Sequence, residues 1–231
     1  MSEIPAAAPP PPPYRSAAQQ ARMVMLALLV LVVVEIAAVV ADIGRAGITG
    51  RLLRAENVSD SEITSSDSFV HLTAVIEIAV MLACAGLFLT WLYRVVANGP
   101  ALGGRELRYT PAWAVGWWFV PVANLVRPFQ VVAEAWMLSA RDPEGSLGLL
   151  LPAWWGLFIL GNVVSRVLVV RSGAADDLTA LHSGAIIDAV ASVVLIAAAL
   201  LCVVMVRRLT ERQELRHRAL SAPPAAAGGA A

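Results

Sequence analysis

The chain has 231 residues, 58% of them hydrophobic and only 15% charged, and its 17 basic residues balance 17 acidic ones. Several apolar runs reach the roughly 19–20 residues needed to cross a hydrocarbon core about 30 Å thick, which excludes an ordinary water-soluble domain. A net charge of zero with no concentrated basic face gives no case for nucleic-acid binding.

Every basic residue is arginine and alanine is abundant, a composition associated with GC-rich bacterial genomes. Cys84 and Cys202 both fall inside apolar runs, where they read as small hydrophobes rather than a disulfide framework. Residues 1–22 carry PAAAPPPPPYR, and the proline run favours an extended, solvated chain, so this segment is expected to be a disordered cytoplasmic tail. The apolar run that follows lacks a small-residue cleavage pattern, which favours a retained first span over a removable signal peptide.

Residues 23–206 are expected to form an all-α membrane domain with spans at about 23–41, 69–93, 147–170 and 181–206. The first span is aliphatic apart from Glu35. It is followed by a polar, net acidic external segment, 42–68, with Arg45, Arg51 and Arg54 against Asp42, Glu56, Asp60, Glu62 and Asp67. The second span has His71 near its start and Glu77 two turns in, and it ends in WLYRVVAN, Trp91–Asn98. There the aromatic residues are expected at the headgroup level, with Arg94 reaching phosphate or water. A glycine-containing loop, Gly99–Gly104, leads to Pro111.

The stretch PAWAVGWWFVPVANLVRPFQVVAEAW, Pro111–Trp136, is too polar and too interrupted for an ordinary span. A helix over Ala112–Val126 would rise about 22 Å, short of the hydrocarbon thickness. Pro121 is expected to kink or end it, with Asn124 bonding the backbone groups set free. Beyond Pro128, residues Phe129, Val132, Ala133, Trp136 and Ala140 recur at helical spacing opposite Arg127, Gln130, Glu134 and Arg141, the pattern of an amphipathic helix lying in the interface. Residues 111–138 together are expected to be a Pro-broken re-entrant or interfacial hairpin. The last two spans follow, with Asn162, Ser165 and Arg166 late in one, and His182 and Asp188 early in the other. Residues 207–231 are expected to be a basic helix with exposed charge and a disordered tail.

Arg207, Arg208, Arg212, Arg216 and Arg218 at one end and Arg15 and Arg22 at the other place both termini in the cytoplasm by the positive-inside rule. Both ends inside requires an even number of crossings, so four spans with a returning hairpin are preferred. A five-span reading would send the five-arginine tail outside. Trp91, Trp113, Trp154 and Trp155 would then form a one-sided aromatic belt.

These residues carry a family resemblance. Trp91, Arg94 and Asn98, followed by Trp113, Trp117, Trp118, Pro121, Asn124, Arg127 and Pro128, resemble the pattern of the domain-of-unknown-function family 4328, bacterial multi-pass membrane proteins, over about residues 25–210. The resemblance implies a membrane location and no known activity.

Two groups of residues are candidate sites. Glu35, Glu77, Arg166 and Asp188 lie four to eight residues from the outer ends of their spans, within about 6–12 Å of the outer boundary at 1.5 Å per residue. Intramembrane charges are costly unless paired, protonated or hydrated. They therefore read either as a proton or cation site, with His71 and His182 nearer its mouth, or as an ion-pair cluster around Arg166. The second reading is preferred because nothing fixes the rotational phase of four separate helices. In the hairpin, Asn124 and Arg127 either bind an anionic headgroup or solute, or satisfy backbone and anchor to lipid phosphate.

There is no histidine and cysteine metal spacing, nucleophile elbow or phosphate loop, so neither an enzyme nor a cofactor is expected. The sequence therefore favours a structural or partner-binding component of the bacterial inner membrane. Its partners would be the lipid bilayer and a membrane or cytoplasmic protein held through the tails or hairpin. A small-solute or ion transporter using the intramembrane carboxylates is the alternative.

Overall fold

A long aliphatic run without proline has one way to satisfy its backbone in hydrocarbon, and that is helix. The computed structural model describes residues 12–103, 107–140, 148–172 and 177–222, with side chains left aside over 165–172. Among these residues it contains six α-helices and no strand: α1 (Ala18–Leu53), α2 (Asp60–Ala97), α3 (Pro111–Gly116), α4 (Arg127–Leu138), α5 (Leu150–Ser172) and α6 (Leu178–Ser221). Helices α1, α2 and α6 are each long and apolar enough to cross a membrane. Their 36, 38 and 44 residues correspond to about 54, 57 and 66 Å, well beyond the roughly 30 Å that crossing requires.

The excess length corrects the polar segment expected at 42–68. Helix α1 continues through it to Leu53 and α2 starts at Asp60, which leaves only residues 54–59 as a connection. The stretch 42–53 contains no proline, and its arginines are paired: Arg45 with Asp67 at 3.4 Å and Arg51 with Glu62 at 2.8 Å. Ser59 and Glu62 form a reciprocal cap at the start of α2, Glu62 N–H donating to Ser59 Oγ at 3.3 Å and Ser59 N–H to Glu62 Oε2 at 3.0 Å. Arg54, which donates to Glu56 at 2.6 Å, holds the Glu56 carboxyl below its ordinary value.

The chain packs as two units, which divide at Trp91 within α2 and at Leu209 within α6. The first comprises Gln19–Thr90 and Leu147–Arg208. Its buried positions recur at spacings of three, four, seven and eleven: Leu28, Glu35 and Ala38 on α1, Thr73, Cys84 and Phe88 on α2, and Ala185, Ala189, Ser192, Ala199 and Cys202 on α6. The opposite faces expose Leu26, Val33, Val40, Val75, Leu82 and Val190, the surface of helices that meet lipid. Small residues on the inner faces let backbones approach; a Cβ on Gly161 of α5 would lie 2.6 Å from Leu195 Cδ2 of α6.

The second unit comprises the described parts of Met1–Ala18, Trp91–Ser146 and Leu209–Ala231. Here the chain breaks where Pro121 demands it, and the half-depth helix expected over Ala112–Val126 is not formed. Helix α3 has six residues and is succeeded by short 3-10 turns at Trp117–Phe119 and Ala123–Leu125. Between them Val122 adopts φ 66°, which is costly for a β-branched residue. Helix α4 then folds back against Trp117–Phe119. It is buried through Val131, Val132, Ala135 and Trp136, so its apolar stripe packs into protein. Trp91 and Trp154 are likewise buried, whereas Trp113 is exposed.

The expected N-terminal tail is revised where it is described, while the expected C-terminal helix is present. Helix α1 begins at Ala18, inside the segment read as disordered, and α6 runs on to Ser221. That extension is not simply a helix of exposed charge, because Leu209, Thr210 and Gln213 form a buried stripe between its arginines.

Candidate functional site

Within the first unit the acids lie on the inner helix faces. Glu35 is 3% exposed, and it shares a hydrogen bond with Ser192 and the electrostatic influence of Glu77 and Asp42. Asp42 is in turn influenced by Asp188, Arg45 and Glu77. The fold thus gathers Glu35, Glu77 and Asp188, and adds Asp42 and Arg45, which the sequence reading had assigned to an external loop. Asp42 lies seven residues from Glu35, two helical turns along one face, and that spacing was the available signal. The Arg166 side chain lies outside the described ones.

Among the described residues no group of three or more histidine, cysteine and carboxylate side chains is placed to hold a metal ion. His182 Nδ1 meets Ala46 O at 2.9 Å and Thr49 Oγ1 at 3.2 Å. A carbonyl can only accept, so Nδ1 carries the proton. Gly50 makes room for this ring, since a Cβ there would sit 3.3 Å from His182 Cε1. His71 is exposed.

Within the second unit the motif residues are held mainly by side chains and backbone outside the motif. Trp91 is completely buried and its indole N–H donates to Thr210 Oγ1 at 3.1 Å. Asn98, one turn past Arg94 at the end of α2, grips the N-terminal segment by both backbone groups of a single residue. Its Oδ1 accepts the N–H of Arg15 at 3.1 Å, and its Nδ2 donates to Arg15 O at 2.9 Å. Nδ2 also reaches Gln213 Oε1 at 3.3 Å, while Gln213 Nε2 donates to Val95 O at 3.0 Å. Ser16 hydrogen-bonds Glu214, and Tyr14 stacks on His217 with ring centroids 4.2 Å apart. Burial, and then the negative charge of Glu214, push the Tyr14 phenol above its ordinary value.

Arg127 is also consumed internally. It donates to Tyr109 Oη and to Gln130 Oε1, each at 3.0 Å, and lies 5.5 Å over the Trp117 ring. Tyr109 closes the triangle by donating to Gln130 Oε1 at 2.8 Å. Pro128 is buried at the first turn of α4, and Trp117 and Trp118 are half-buried. Backbone turns satisfy the groups freed at Pro121, Ala123 N–H reaching Pro121 O at 2.7 Å and Asn124 N–H reaching Val120 O at 3.0 Å. Asn124 therefore acts there through its backbone rather than through the side chain the sequence pointed to.

Arg94 lines a cavity of about 700 Å³ with Arg15, Tyr93, Asn98, Tyr109 and neighbouring prolines. A second, open groove of about 460 Å³ is lined by Val40, Gly44, Ile48, Glu62 and Phe69 in the first unit. Neither touches Glu35, Glu77 or Asp188. Sequence reasoning missed Arg15, Gln213 and Thr210; the signal for the last two is Leu209, Thr210 and Gln213 recurring at helical spacing among charges.

No curated protein and no solved structure matches the chain. A family model described as a domain of unknown function (DUF4328) matches residues 54–211, which begins later than the resemblance read from the sequence and leaves Glu35 outside. The match takes in every motif residue from Trp91 to Pro128 and more than half of the chain, so this membrane-embedded protein belongs to the domain-of-unknown-function family 4328.

Proposed function

We propose that the protein is a structural or partner-binding component of the bacterial cell envelope, without catalytic activity. In this reading α1, α2, α5 and α6 are four spans, both termini are cytoplasmic, and residues 111–138 return to the side from which they enter. Helix α5 has 23 residues, about 34 Å, enough for a crossing. The arginines that follow α6 support the orientation. The observation that carries the role is the inward use of the motif: Trp91, Asn98 and Arg127 spend their polar groups on Thr210, Arg15, Gln213, Tyr109 and Gln130. Side chains committed in this way build a rigid module.

A second reading, a proton or cation carrier, is favoured by Glu35 Oε2, which is buried with no hydrogen-bond partner among the described residues. Proton and cation flux in phosphatidylethanolamine and phosphatidylglycerol vesicles separates the two. The structural reading predicts leak rates equal to protein-free vesicles for the native chain, Glu77→Gln and Asp188→Asn. Flux above that level, abolished by either substitution, would establish the carrier instead.

A further inference from the structure

We infer that the cavity at the end of α2 is a binding site for a phosphate group, with Arg15 and Arg94 as its cationic wall. The cavity's volume of about 700 Å³ falls within the roughly 300–1,000 Å³ usual for small-ligand sites. Two guanidinium-bearing residues line it, and no carboxylate does so among the described residues.

Five other arginines provide the contrast. Arg45, Arg51 and Arg54 are paired with carboxylates. Arg127 and Arg216 are spent on protein oxygens. The Arg15 and Arg94 guanidiniums have neither a hydrogen bond nor an ion pair among the described residues, although Arg94 is half-buried. Like charges beside one cavity repel unless an anion joins them, and the planar guanidinium fork matches phosphate oxygens.

Arg15 is not there by accident of a loose tail. The side-chain amide of Asn98, itself 2% exposed, fixes both backbone groups of Arg15 and so presents that residue to the cavity. Asn98 is the positioning residue. Prolines, Leu107 and Val96 complete the lining, which suits an ester with an apolar portion beside its charge. The phosphate belongs either to a lipid headgroup or to a soluble phosphoester. The site goes beyond the envelope role and does not depend on it.

The test is calorimetric titration of the full chain in phosphate-free maltoside detergent with dihexanoyl phosphatidylglycerol, glycerol phosphate and inorganic phosphate. Arg15→Gln and Arg94→Gln are each expected to weaken binding by about tenfold or more, the loss of one charge-assisted contact, while Arg208→Gln leaves it unchanged. Arginine-dependent binding of the lipid alone identifies a headgroup site. Equal, arginine-dependent binding of the soluble probes identifies a phosphoester site. The inference is overturned if the native chain binds none of the three, or if both substitutions leave affinity within about twofold. Should Arg94→Gln fail to fold, the exposed Arg15→Gln decides alone.

Discussion

Asn98 shows how much one side chain can hold. Its three hydrogen bonds are made at a nearly sealed position, so Asn98→Ala strands the backbone of Arg15 and the amide of Gln213. A loss of about 1–3 kcal/mol is expected, read as a lower thermal midpoint and as faster proteolysis at residues 12–18. Tyr14 gives the same docking a pH limit. Its folded-state value is raised above the ordinary 10.0, so docking is unaffected below about pH 10 and weakens as the released chain, but not the docked one, loses its proton. Protease protection of the segment should hold from pH 6 to 9 and fall above about 10, and Tyr14→Phe should abolish that fall. The sequence identified Asn98 as a motif residue but not its partners, because Arg15 and Gln213 are 83 and 115 positions away. The inward acids were closer to legible. Leu28, Glu35 and Asp42 share one seven-residue register, which fixes the phase of α1 without any knowledge of the other helices.

Among elements, the long apolar helices were readable from hydropathy and the break at Pro121 from the missing backbone donor. The early start of α2 was readable too, in the Ser59 and Glu62 capping box, but the density of charge there argued for a loop. What pattern alone did not reveal was that α4 packs into protein. A strong apolar stripe looks the same whether lipid or another helix covers it. Two substitutions test the elements as described. Gly161→Val drives a branched side chain into Leu195 and is expected to cost about 1–3 kcal/mol, whereas Gly156→Ala, with nothing within 4 Å, should not destabilise the chain in the same thermal assay and gains up to about 1 kcal/mol of helix propensity. Val122→Gly relieves the positive φ and should stabilise the chain by about 1 kcal/mol.

For the molecule as a whole, the central proposal is that the family motif builds a module on one side of the membrane, with residues 111–138 entering and returning on that side. The exposed tip of that segment, with Phe119 at 72% and Val122 at 80% exposure, is apolar enough to meet lipid without crossing it. Single cysteines at exposed Arg108, Leu149, Ala222 and Asn57 in a Cys84→Ala, Cys202→Ala background report sidedness directly. A membrane-impermeant maleimide added to intact cells should label Asn57→Cys alone, with the other three labelled only after lysis. Labelling of Leu149→Cys in intact cells while Arg108→Cys stays protected would put the two ends of the segment on opposite faces and contradict the account.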